Sequence, residues 1–222
     1  MYIKNLRFTR KKFGEAAGGI FMSKTNKELS KVQKMVFVSI MAALTLVMAF
    51  TPLGYLRIGT MSISFLCIPI AIAAVVVGPT AGLILGTLFG LTSFAQCFGA
   101  DPFGLAMLTL NPVYTFIICV VSRALMGWLT GLAAKGLGTL LKYKKAGKFY
   151  INDIVAVVLC PALNTLFFLG FMAVFFGGTE VAGLNVITMV IIPAISINCL
   201  IEIAACTVVG SAISVAIKNV VK

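Results

Sequence analysis

Apolar residues in this chain gather into long runs, and the polar residues collect between them. Reading those runs predicts six helices, over roughly 35–53, 63–78, 80–98, 110–135, 152–176 and 185–217. Runs of about 17–25 apolar residues have the length a helix needs to cross a bilayer. The second run is short and carries Pro69, and Gly78-Pro79 predicts a tight turn into the third. Pro193 is a candidate kink in the last. Composition agrees with this pattern. Of 222 residues, 60% are apolar and 11% charged, with a mean hydropathy of +1.09. Soluble domains average about 45–50% and about 25%, so a soluble globule, a disordered tail and a disulfide-rich secreted module all fit poorly. The expected fold class is an all-α integral membrane protein.

The net charge of +12 could suggest a nucleic-acid partner, but its distribution does not. Nine of the 18 Lys and Arg precede residue 35, five cluster at Lys135, Lys142, Lys144, Lys145 and Lys148, and Lys218 and Lys222 close the chain. Blocks of cations flanking apolar segments are what the positive-inside rule produces. With the basic N-terminus inside, an even number of spans puts the C-terminus and the 136–150 loop in the cytoplasm as well. The outward connections are then about 54–62, 99–109 and 177–184, carrying Arg57, Asp101 and Glu180. The chain divides into a basic, disordered N-terminal segment over 1–34, a membrane domain over 35–217 and a cytoplasmic tail over 218–222. No secretory-signal core of about 7–15 apolar residues precedes Val36. Gly18-Gly19-Ile20-Phe21-Met22 can be encoded by a purine-rich ribosome-binding site ahead of an ATG. That predicts a start at Met22, with residues 1–21 as leader; native peptides from that leader would overturn it.

The chain has no His, so His-based acid–base catalysis and His metal ligation are absent. Cys67, Cys97, Cys119, Cys160, Cys199 and Cys206 form no CxxC pair and read as small apolar residues. No GxxxxGK[ST] phosphate loop occurs. The expectation is a protein without catalytic residues, bound metal or cofactor.

Polar residues inside the spans carry the information, because placing them in lipid is costly. Arg123 lies near the middle of span four, about 18 Å inward from Asn111, and Glu202 about 22 Å inward from Ile187. The two can meet at similar depth, as a buried ion pair holding the bundle together. Asn198 is one turn from Glu202 on the same face, and Asn164 lies near the middle of span five. A second reading aims Asn164, Asn198 and Glu202 into a ligand cavity open to the outside. Gln96, Asn111 and Tyr114 stand at the outer ends of spans three and four. Asn111-Pro112 is equally a helix start. Arg57 can attract an anionic solute or simply sit in solvent. Ser39 and Ala43 form a small-xxx-small stripe on span one, and Gly82, Gly86 and Gly90 repeat that spacing on span three.

These motifs together resemble a known family. The order is the basic N-terminus, the small-residue first helix, Met61-Ser62-Ile63-Ser64, Ile68-Pro69-Ile70-Ala71 and Val77-Gly78-Pro79-Thr80-Ala81-Gly82. Phe89-Gly90-Leu91-Thr92-Ser93, Asn111-Pro112, Ser122-Arg123-Ala124-Leu125-Met126-Gly127 and Asn198-Cys199-Leu200-Ile201-Glu202 follow. Over about residues 33–217 the chain resembles the substrate-binding S component of energy-coupling factor (ECF) vitamin transporters. The resemblance implies a six-helix subunit of a bacterial cell membrane that captures a vitamin and docks on a coupling subunit with two ATPases. It gives Ser39-xxx-Ala43 a docking role, where the family carries Ala-xxx-Ala. Among branches, it looks most like the pantothenate group, with folate and riboflavin carriers close by. Arg57, Asn111, Asn164 and Asn198 could supply the cation and donors that an anionic vitamin needs. One rival is a self-sufficient secondary transporter, which would carry inverted repeats and several buried carboxylates. A second is a lipid-modifying or proteolytic membrane enzyme, for which Ser and Cys are plentiful but no His base accompanies them.

Overall fold

The computed structural model describes residues 30–52, 54–58, 61–140, 145–146, 149–178, 180–181, 184–185, 202–204 and 206–210. The candidate start at Met22, and Asn198 and Cys199, lie outside the described residues.

Helix α1 (Lys31–Ala49) begins earlier than apolarity alone predicts, because Ser30 and Gln33 form a capping box. The Gln33 amide donates to Ser30 Oγ at 3.3 Å, and the Ser30 amide to Gln33 Oε1 at 2.9 Å. This helix is peripheral, with only Thr45 and Ala49 buried. An antiparallel hairpin follows, β1 (Tyr55–Ile58) and β2 (Met61–Ser64), registering Tyr55 with Ser64 and Ile58 with Met61.

The hairpin corrects the expectation that 54–62 is a loop and that a helix starts at 63. Helix α2 covers only Cys67–Val76 and is buried along most of its length. Ten residues rise about 15 Å, half of a hydrocarbon core of about 30 Å. Non-helical backbone at such depth is tolerated where protein covers it, and Gly54, Ser64 and Leu66 are all buried.

Gly78 turns the chain at φ 121°, and Pro79 opens α3 (Pro79–Gln96) at a position where its missing N–H costs nothing. The 99–109 connection is corrected too. It holds helix α4 (Pro102–Leu110), started by Asp101, whose side chain accepts from the Phe103 amide at 3.3 Å. Asn111 then caps α5 (Pro112–Phe116), a π-helical turn spans Ile117–Val121, and α6 (Ser122–Leu140) continues it. Helix α7 (Ile151–Phe176) contains Pro161. Two-residue strand pairs stand on either side of it, Lys145–Ala146 with Phe149–Tyr150 and Glu180–Val181 with Leu184–Asn185. Residues 202–204 are helical, and Cys206–Gly210 is a π-type turn.

Among the described residues, three helices are long and apolar enough to cross a membrane: Lys31–Ala49, Pro112–Gly136 and Val155–Phe176. The centre is the α3–α6 pair, pressed together along the glycine stripe. A Cβ on Gly82 would strike the Gly127 carbonyl, one on Gly86 the Arg123 carbonyl, and one on Gly90 the Val120 Cα at 2.6 Å. The stripe therefore serves close internal packing. Leu66, Ile70, Leu85, Phe89, Met126, Val157 and Cys160 complete the main core.

Candidate functional site

Arg123 opens α6 directly after the π turn and is 8% exposed. Such turns occur often at functional sites. Its Nη1 donates to the Cys119 carbonyl at 3.2 Å, back across that turn. The guanidinium carbon lies 4.7 Å from the Phe89 ring centre and 5.3 Å from that of Phe168. Two phenyl rings, one from α3 and one from α7, thus flank the cation, a favourable arrangement in a desolvated site. Its Nε is buried with no hydrogen-bond partner.

Glu202 is 5% exposed, and its Oε1 accepts from the Ser64 amide at 2.8 Å. The Asn164 side chain acts on the same carboxyl, and Arg123 lies within Coulombic reach of it. The expected Arg123–Glu202 ion pair is therefore not a direct contact. Glu202 is engaged by the end of β2, while Arg123 is turned to the rings and the Cys119 carbonyl. Asn164, 9% exposed, has a buried Oδ1 with no partner.

Two residues that sequence reasoning did not assign to the site complete this cluster. Tyr55 Oη and Ser64 Oγ are both buried without a partner, and the two residues face each other across the hairpin. Burial pushes the Tyr55 phenol up to about 12, opposed by the nearby Arg123 cation, so the phenol stays protonated at neutral pH. Contacts run from Tyr55 to Ser64 across the hairpin, on to Glu202 and from its carboxyl to the Asn164 side chain, while Arg123 acts electrostatically on both Glu202 and Tyr55. Four buried polar atoms from β1, β2, α6 and α7 are thus unpaired in one place. More than nine in ten buried polar groups in proteins find partners, so this concentration marks a place for water or a solute. The signal in the sequence was the alternation of Leu56-Arg57-Ile58 and Met61-Ser62-Ile63 around Gly59-Thr60, a hairpin pattern.

Gln96, Asn111 and Tyr114 are engaged with other groups. Gln96 Nε2 donates to the Ala49 carbonyl at 2.6 Å, tying α3 to the end of α1. Asn111 Oδ1 accepts from the Val113 amide at 3.0 Å and the Tyr114 amide at 3.2 Å, so it acts as a cap. Tyr114 packs against Phe175 and Phe176, with ring centres at 4.9 and 6.1 Å. Arg57 is placed by its backbone, opposite Ser62, and its side chain lies outside what is described. Ser39 and Ala43 are exposed on α1, with the Ser39 hydroxyl turned onto the Met35 carbonyl at 2.9 Å. Among the described residues, no three His, Cys, Asp or Glu side chains are grouped to hold a metal ion.

An apolar helical protein with an unpaired buried polar cluster fits the class of solute-handling membrane proteins. The chain belongs to the family of ECF transporter substrate-specific components, whose family model matches residues 33–214. Members are multi-pass membrane proteins and transport subunits with a small-molecule substrate, working with ECF coupling and ATPase modules. No curated protein matches the chain.

Proposed function

We propose that the chain is the vitamin-capturing subunit of an ATP-driven importer in a bacterial cell membrane, and that the vitamin is pantothenate. The observation that carries this reading is the set of unpaired buried atoms Tyr55 Oη, Ser64 Oγ, Arg123 Nε and Asn164 Oδ1 around Glu202. Pantothenate offers a carboxylate, an amide and two hydroxyls, which match a site with donors, acceptors and both signs of charge. Asn198, one helical turn from Glu202 in sequence, joins the site in this reading.

Six spans with both termini inside accommodate the basic blocks. Ser39 and Ala43, exposed and small, give the coupling subunit a face for close helix approach. The absence of a phosphate loop assigns ATP hydrolysis to partner subunits.

Binding and uptake separate the alternatives. The purified chain should bind labelled pantothenate without ATP, whereas uptake into vesicles should need the coupling subunit and both ATPases. Sustained uptake by the chain alone in an ion gradient would instead establish a secondary transporter. Preferential binding of folate or riboflavin would reassign the vitamin.

A further inference from the structure

Arg123 is a buried cation without a carboxylate in contact among the described residues. Its hydrogen bond within the protein goes to a neutral carbonyl, its faces are covered by Phe89 and Phe168, and its Nε is unpaired. An unpaired charge in an apolar interior is expensive. Aromatic faces compensate it only in part. The edge of the guanidinium that remains is a planar donor set suited to a carboxylate. Glu202 stands within Coulombic reach but is engaged with the Ser64 amide.

We propose that Arg123 is the specificity-determining anchor for one carboxylate of the transported solute, so that the chain selects monoanionic acids over their neutral counterparts. The inference rests on the solute-site reading above and assigns the charge class that the site accepts. Tyr55, on the hairpin and electrostatically coupled to Arg123, is a second unpaired donor. The rings hold the guanidinium in place before the solute arrives, which lowers the ordering cost of binding.

Calorimetric titration of the purified full chain tests this with matched pairs: pantothenate with pantothenol, nicotinate with nicotinamide, and biotin with its methyl ester. Riboflavin serves as a neutral vitamin. For whichever pair binds, the acid should bind about 10–100-fold tighter than its neutral partner. The Arg123→Gln variant should lose that preference, and Arg123→Lys should keep part of it. Tightest binding by a neutral member, or by riboflavin, would overturn the anchor while leaving vitamin capture intact. Wild-type protein that binds none of these compounds or folate would overturn vitamin capture, and the anchor with it. The wild-type comparison stands even where a variant fails to fold.

Discussion

Glu202 accepts a 2.8 Å hydrogen bond from the backbone amide of Ser64, a residue 138 positions earlier in the chain. This contact fixes the end of the β1–β2 hairpin to the helical turn at 202–204, in the interior of a membrane protein. Removing the carboxyl would leave that buried amide without its acceptor. Glu202→Ala should therefore cost about 1–3 kcal/mol, whereas Glu202→Gln keeps an acceptor and should cost less. Thermal unfolding in detergent checks the ranking. Limited proteolysis between residues 55 and 64 should quicken in the alanine variant alone.

The glycine stripe makes a second prediction. Gly86→Ala would drive a methyl group into the Arg123 carbonyl, and backbone cannot yield as a side chain does. Overpacking of this kind costs about 1–3 kcal/mol. Gly170→Ala, on α7 with nothing within 4 Å of the new methyl, should be neutral or stabilising. Equal melting temperatures for the two variants would contradict the α3–α6 approach.

Cys97 and Cys119 place their sulfurs 4.0 Å apart, at the end of α3 and inside the π turn. Copper phenanthroline in air should join them with little backbone movement, since a disulfide needs about 2.05 Å between sulfurs. Cyanogen bromide cleaves at Met107, between the two, so the joined fragments should separate only after reduction. Fragments that separate without reductant would place these elements apart.

On α1, Ser39→Leu with Ala43→Leu should leave vitamin affinity unchanged, because both residues are exposed. Co-purification with the coupling subunit should fall sharply. Retained complex formation would move the docking face elsewhere.

Much of the architecture was legible in the apolar runs, and for a physical reason. Lipid demands unbroken apolarity, so α1, α3, α6 and α7 stand out. The hairpin stands out less, because the short alternation around Gly59-Thr60 is its only signal and Tyr55–Ser64 is apolar enough to pass as helix or loop. Asp101-Pro102 was a readable helix start, but the run behind it is only nine residues long. In the site, Asn164, Glu202 and Arg123 were visible because polar groups are rare inside spans. Tyr55 and Ser64 were not, since a phenol and a hydroxyl near a span end carry no such cost. For Asn111 the sequence offered cap and ligand contact alike, and the structure shows it capping Val113, while Gln96 holds the Ala49 carbonyl.

The central claim is that the unpaired polar cluster, rather than the outer helix ends, holds the solute. Calorimetric titration of pantothenate into purified wild-type, Asn164→Ala and Asn111→Ala proteins, without ATP, tests it most directly. The account predicts that Asn164→Ala loses at least tenfold in affinity, about 1.4 kcal/mol, at little cost in melting temperature. It predicts that Asn111→Ala keeps wild-type affinity and loses about 1 kcal/mol of stability. Unchanged affinity in Asn164→Ala, with affinity lost in Asn111→Ala, would contradict it.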